Sequence, residues 1–250
     1  MNEWLDDLKT AIAFLTRLPM PHPTGPMPQN FVRAHRMFPV VGAAIGGAVG
    51  LLYLGMRMIG LPDLAAAALA LGASAILTGA LHEDGLADVA DGFGGGRDPA
   101  AKLEIMRDSR LGTYGALILM VSFVTKLSAL AALPDAVVVQ SLIAAHALAR
   151  GVLPAMSMSL PYARKDGLAA NAGRPDPATA ATAGALALVI AVLLLPWFDA
   201  FCAALMAGMA ALAVGLLAQR QIGGQTGDVL GGAEQVGETA ILVLLATRLG

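Results

Sequence analysis

The residues best able to do chemistry stand in one run, His82-Glu83-Asp84-Gly85-Leu86-Ala87-Asp88-Val89-Ala90-Asp91-Gly92. Asp84, Asp88 and Asp91 fall at i, i+4 and i+7, so on a helix they occupy a narrow arc of one face. Like charges held that close repel and raise one another's pKa. A divalent cation relieves the repulsion, and hard carboxylate oxygens suit Mg²⁺, Mn²⁺ or Ca²⁺ rather than zinc. The competing reading, a solvated acidic helix end, explains poorly why the acids stand at a membrane boundary with little other charge nearby.

A second group follows at Glu104, Arg107, Asp108 and Arg110. Carboxylates hold metal and guanidinium groups grip phosphate in a fork, so the mixture suits a phosphorylated substrate. Ordinary i, i+4 ion pairs on a surface helix would give the same pattern. Gly92-Phe93-Gly94-Gly95-Gly96 permits close backbone approach but lacks the Gly-Lys-Ser/Thr ending of a P-loop. Gly223-Gly224-Gln225-Thr226-Gly227-Asp228, with Gly231, Gly232, Glu234 and Glu238 beyond it, is a glycine-rich turn delivering one Asp, either half of a metal site or a plain connection. His22, His35, His82 and His146 have no paired zinc spacing, and the single Cys202 excludes both an internal disulfide and a cysteine zinc site. Lys126 and Arg150 lie inside apolar runs. Intramembrane charges are functional candidates by default, and Arg150, near the inner end of its run, is a candidate for a substrate phosphate.

The elements that must position these residues are transmembrane helices. Hydrophobic residues make up 57% of the 250 and charged ones 14%, against about 25% charged in soluble domains. The charge is concentrated in short segments between long uncharged ones, as a bilayer requires. The fold class expected is an all-α polytopic bundle of six to seven spans, one integral membrane domain over 1–250, with a short amphipathic interfacial helix over 2–18. A Pro-rich stretch runs from Pro19 to Pro28. Spans are expected at 38–60, 63–82, 111–132, 136–156, 178–196 and 200–218. A last stretch at 236–249 is short for a full span. Gly42, Gly46 and Gly50 form a small-xxx-small stripe that lets another helix approach closely. The polar segments are 82–110, 157–177 and 219–235. With the N-terminus they carry Lys9, Arg17, Arg33, Arg36, Arg97, Lys102, Arg107, Arg110, Arg164, Lys165, Arg174 and Arg220, whereas the opposite connections hold at most Arg57. The positive-inside rule therefore places every charged segment on the cytoplasmic side. A formal net charge of −2 gives no sign of nucleic-acid binding.

The sequence resembles the cobalamin synthase family, the adenosylcobinamide-GDP ribazoletransferases. The resemblance rests on Leu77-Thr78-Gly79-Ala80-Leu81-His82-Glu83-Asp84-Gly85-Leu86-Ala87-Asp88, on Asp91-Gly92, on Ile105-Met106-Arg107-Asp108-Ser109-Arg110-Leu111-Gly112-Thr113-Tyr114-Gly115, and on Gly223-Gly224-Gln225-Thr226-Gly227-Asp228-Val229-Leu230-Gly231. Thr16-Arg17-Leu18-Pro19, Phe38-Pro39-Val40-Val41-Gly42 and Pro161-Tyr162-Ala163-Arg164 extend it almost end to end. It implies that a hydroxyl of α-ribazole, or of its 5′-phosphate, attacks the phosphate on the cobinamide arm of adenosylcobinamide-GDP. GMP leaves, and adenosylcobalamin or its 5′-phosphate is made.

Mg²⁺ is the cofactor implied, with Glu83, Asp84, Asp88, Asp91 and Asp228 as metal candidates. Asp84, Asp88, Asp91 and Asp108 are the catalytic candidates, and Arg107, Arg110, Arg150 and Arg164 those for phosphate. The partners implied are these small molecules and the lipid bilayer, in a multi-pass protein of the bacterial cytoplasmic (inner) membrane, with a homo-oligomer left open. Asp88-x-x-Asp91-Gly92 also resembles part of the CDP-alcohol phosphotransferase signature, but Gly94-Gly95 stands where that signature has Ala-Arg. A lipid-making phosphotransferase and a cation-coupled transporter are the rival readings. A transporter would carry its acids near span midpoints in paired repeats.

Overall fold

The computed structural model describes residues 3–20, 27–164 and 173–250, and the side chains of 27–30 are not described. Most of the Pro19–Pro28 stretch, His22 and Lys165 thus lie outside the described residues. The chain folds into helices: α1 (Glu3–Leu15), α2 (Met27–Ala34), a 3₁₀ turn (His35–Met37), α3 (Phe38–Met58), α4 (Asp63–Thr78), α5 (Leu81–Gly95), α6 (Pro99–Ile105), α7 (Thr113–Ala132), α8 (Val138–Gly151), α9 (Leu153–Ser159), α10 (Pro177–Leu194), α11 (Trp197–Ile222) and α12 (Gly227–Leu249).

Among the described residues six helical stretches are long and apolar enough to cross a membrane, 31–58, α7, 138–159, α10, α11 and α12, and α4 with α5 would make a seventh as one bent span. Their burial sorts them into a centre and a periphery. The stretch 138–159 is 72% buried and α12 61%, whereas α7 is 22% and α10 28% buried. Leu117, Met120, Val121 and Val124 of α7 and Leu188, Val189, Val192 and Leu193 of α10 point outward. An apolar outer face is what lipid demands, since lipid tails are as apolar as leucine.

The centre is held by close backbone packing. A Cβ at Gly42 would overlap the His146 carbonyl, one at Gly46 the Leu142 carbonyl, and one at Gly50 would stand 2.9 Å from Val139 Cα. The glycine stripe of α3 is therefore the seat of α8, as its spacing predicts.

The expected second span is interrupted. Apolar α4 ends at Gly79 (φ 66°), which with Ala80 (φ 54°) forms two successive left-handed residues. They turn the chain by 91° into α5. A left-handed Ala is costly unless its surroundings fix it. Here Arg17 N–H donates to the Leu77 carbonyl at 2.8 Å, and the Arg17 side chain fills the space beside Gly79. Polar α5 consequently lies outside the six spans, and the acidic run becomes a helix of its own.

The last stretch also differs from expectation. α12 has 23 residues, starting at Gly227, and is apolar enough overall to span. Its first half hides Glu234, Gln235 and Glu238 inside the protein, all 2% exposed or less. Those buried polar residues made the apolar run look short.

α1 packs on α2, the 3₁₀ turn and α3. Its Asp7 is fully buried between Arg33 (2.9 Å) and Arg36 (2.7 Å), while Trp4 and Leu5 stay about half exposed.

Candidate active site at one end of the bundle

α5 combines four glycines with three aspartates, a composition with weak intrinsic helix propensity, so its geometry is set by neighbours. It packs between α12 and α7. At Gly85 an added Cβ would stand 2.9 Å from the Asp228 carbonyl oxygen, 3.1 Å from Asp228 Cα and 3.3 Å from Gly231 Cα. The two helices meet backbone to backbone there, which carries Asp228 up to Asp84 and Asp88, on either side of Gly85.

A strap after α9 completes the arrangement. Ala163 N–H donates to the Gln225 carbonyl at 2.9 Å, and Gln225 N–H to the Pro161 carbonyl at 2.8 Å. The Gln225 amide donates to the Ser157 carbonyl at 2.6 Å. Thus stitched, 161–164 places an Arg164 Nη2 donor 3.2 Å from Asp228 Oδ2. The Thr226 hydroxyl donates to the same oxygen at 3.1 Å and also accepts from Val229 N–H at 3.3 Å, capping α12.

These groups border a cavity of about 180 Å³ lined by Asp84, Gly85, Asp228, Gly231, His82 and Arg164, and also by an aromatic wall. Burial, then the neighbouring carboxylates of Asp84, Asp228 and Asp91, push the Asp88 carboxyl up to about 7, against the opposing pull of Arg164. The donor chemistry of Asp84, Asp88 and Asp228 fits a hard divalent cation: carboxylates only, mutually repelling, from two helices. Arg164 Nη1 is buried and has no hydrogen-bond acceptor among the described residues, leaving a donor for a ligand anion.

Other predicted site residues are placed elsewhere. Asp91 is buried, and its two oxygens accept from Gly112 N–H (2.8 Å) and Gly115 N–H (2.9 Å). It thereby caps α7 from a neighbouring helix, where the helix dipole also favours a negative charge. Glu83, one position along α5 from Asp84, lines a different cavity with Ser122, Lys126 and Gln235, away from the acid cluster. Arg107, Asp108 and Arg110 lie in the α6–α7 connection. That connection meets α5 at Gly92, packed by Met106, about two turns from Gly85. Asp108 and Arg110 form a forked pair with contacts of 2.5–3.0 Å, which holds Asp108 down at about 2. None of the three lines the Asp84–Asp228 cavity.

Arg150 is the clearest departure from expectation. It is 1% exposed and lies 2.5 Å from Glu234. The network continues through Glu234–His82 (3.2 Å), His146–Glu238 (3.0 Å), Lys126–Glu238 (3.1 Å) and Lys126–Gln235 (2.7 Å). Two cations thus meet two carboxylates inside the spans. His146, Glu234 and Glu238 bring ligand atoms within 4.8 Å of one another, but the adjacent guanidinium and ammonium already neutralise the acids, which disfavours a cation there. The charged members and the two histidines stand out singly in the sequence, Gln235 does not, and nothing there joins them. The signal was the i, i+4 spacing of Glu234 and Glu238 in a chain with two intramembrane cations.

The fold and site define a polytopic membrane protein with clustered carboxylates and a guanidinium at one end of its bundle. A family model described as Cobalamin-5-phosphate synthase matches residues 7–246, and the chain belongs to that family. It is 46% identical over 241 residues to the adenosylcobinamide-GDP ribazoletransferase of Bradyrhizobium diazoefficiens, covering 96% of this chain and 93% of the relative. It is 44% identical over 246 residues to the enzyme of that name from Mesorhizobium japonicum (98% and 94% covered). With the one from Ralstonia nicotianae it is 41% identical over 258 residues (98% and 97%). No solved structure matches.

Proposed function

We propose that the chain is a Mg²⁺-dependent adenosylcobinamide-GDP ribazoletransferase of the bacterial inner membrane, with its site on the cytoplasmic side. The observation that carries this reading is the convergence of Asp84, Asp228 and Arg164 on one cavity, in a chain of this family. Asp84, Asp88 and Asp228 hold the cation. When bound, Mg²⁺ supplies charge neutralisation for the diphosphate and the departing GMP oxygen. Arg164 donates from Nη1 to a phosphate oxygen while Nη2 stays on Asp228, so the phosphate and the acids are fixed relative to each other. A carboxylate oxygen of this set that the cation leaves free would accept the proton from the attacking ribose hydroxyl. Asp91 acts indirectly by locking α5 to α7. Transfer of this kind needs positioning and charge stabilisation rather than a covalent enzyme intermediate.

The chain's positive charge in 82–110, 157–177 and 219–235 supports the cytoplasmic side. The test is product analysis by purified protein in lipid. Adenosylcobinamide-GDP with α-ribazole should yield GMP and a cobalamin product, whereas CDP-diacylglycerol with an alcohol should yield none. Turnover of the second pair alone would replace this reading with a lipid phosphotransferase.

A further inference from the structure

The cavity has an aromatic wall that the phosphate chemistry does not use. Phe14 of α1, Phe31 of α2, His35 of the 3₁₀ turn and Phe38 of α3 line it together with Asp84, Asp228 and Arg164. Phe38 stacks on His35 (centroids 4.5 Å, 26°) and on Phe14 (5.8 Å, 14°). Phe31 stands edge-on to Phe14 (4.7 Å, 86°) and to His35 (5.0 Å, 88°). Three of the chain's seven phenylalanines are therefore spent on one wall, drawn from three separate helices. His35 Nδ1 lies 2.9 Å and 3.1 Å from the Phe31 and Val32 carbonyls. Carbonyls only accept, so Nδ1 carries the proton and the ring is locked in place. Leu81, Leu153 and Leu230 supply the rest of the apolar lining.

We propose that this aromatic wall seats the flat bicyclic base of the incoming nucleoside, the benzimidazole of α-ribazole. The inference rests on the ribazoletransferase reading above and adds the residues that bind one of its two substrates. A wall of stacked and edge-on rings is matched by a planar aromatic ligand. A base seated there would hold its ribose toward the acids of the same cavity, which is where a hydroxyl must lie to be deprotonated. Benzimidazole rather than guanine fits the lining. Guanine has N–H donors and a carbonyl on its edge, and burying them without partners is costly. Among the described residues Phe14, Phe31 and Phe38 bring no polar group to that wall and His35 only one acceptor, Nε2, while benzimidazole has no N–H donor and no carbonyl once it is joined to ribose.

The test uses the full chain in lipid with Phe14→Leu, Phe31→Leu and Phe31→Tyr variants. Leucine keeps an apolar side chain and removes the ring, and tyrosine restores the ring. Two readouts are taken: the KM for each substrate, and equilibrium binding of α-ribazole alone followed by benzimidazole fluorescence. Each Leu variant should raise the α-ribazole KM and Kd about tenfold, the order seen for loss of one base–aromatic contact. The KM for adenosylcobinamide-GDP should be unchanged, and Phe31→Tyr should bind like the parent. A rise confined to the adenosylcobinamide-GDP KM would assign the wall to guanine and overturn the proposal. Unchanged constants for both substrates in folded Leu variants would make the wall packing only and also overturn it. A parent protein that neither binds nor converts α-ribazole would sink the ribazoletransferase reading and this seat together.

Discussion

The carbonyl oxygen of Asp228 lies where a Cβ on Gly85 would come within 2.9 Å of it. This single close approach joins the acids of α5 to the acid of α12. A Gly85→Val substitution must push the helices apart or twist α5, moving Asp84 and Asp88 away from Asp228. Displacements of about 1 Å at a catalytic constellation cost about 100-fold. The variant should insert in the membrane and lose at least that factor in kcat/KM, measured in lipid. Activity within a few-fold of the parent would show that the meeting of α5 and α12 is not needed.

Asp91 and Asp88 should fail in different ways. Asp91 holds two backbone N–H groups of the α7 terminus, so Asp91→Ala leaves both without their acceptor. Hydrogen bonds to a charged group contribute about 1.5–3 kcal/mol each, and Tm should drop by many degrees. Asp88→Asn keeps its shape and removes repulsion, so Tm should hold or rise while turnover collapses. Thermal unfolding in detergent beside activity in lipid separates the two. Equal Tm losses for both would mean that Asp88 is structural as well.

The arginines divide similarly. Arg164→Lys loses the fork that reaches both Asp228 and a phosphate, and should cut activity while leaving the fold intact. Arg150→Ala strands Glu234 inside the spans, and breaking a buried pair from one side costs about 3–5 kcal/mol. That variant should express poorly or unfold early. A stable Arg150→Ala protein with a specific loss of substrate binding would restore Arg150 as a substrate ligand.

Much of this was legible in sequence. The stripe Gly42, Gly46 and Gly50 announced a close helix partner, and apolar run lengths located most spans. The i, i+4, i+7 acids marked α5. Other features were hidden for physical reasons. Asp91 shares the arc of Asp84 and Asp88, yet its carboxylate is committed to Gly112 and Gly115, a contact that only tertiary packing creates. Glu234 and Glu238 sit in a spanning helix because Arg150 and Lys126 neutralise them, so hydropathy alone shortened α12. The bend at Gly79-Ala80 requires a left-handed alanine, which sequence rules disfavour. The aromatic wall joins residues from α1, α2 and α3 that have no common spacing.

Asp88 gives a pH signature. Its carboxyl is raised from the ordinary aspartate value to about 7 in the folded chain, so the native state binds the proton more tightly than the unfolded state does. Stability is therefore greatest below the unfolded value near 3.8 and declines as pH climbs toward 7. Without divalent cations, Tm should fall between about pH 4 and pH 7 more steeply in the parent than in Asp88→Asn. Identical slopes for the two proteins would remove Asp88 from the account.

The most direct test of the central claim, that Asp84, Asp88 and Asp228 together hold the catalytic cation, is a Mg²⁺ titration of GMP release from adenosylcobinamide-GDP and α-ribazole. It compares the parent with Asp228→Asn in lipid. Asp228 is the informative choice because it arrives from a helix remote in sequence and makes no backbone cap of α7. The parent should be inactive without Mg²⁺, and Asp228→Asn should need far more Mg²⁺ or lose about 100-fold or more in kcat. Superimposable Mg²⁺ curves, or full activity of the parent in excess chelator, would contradict the account.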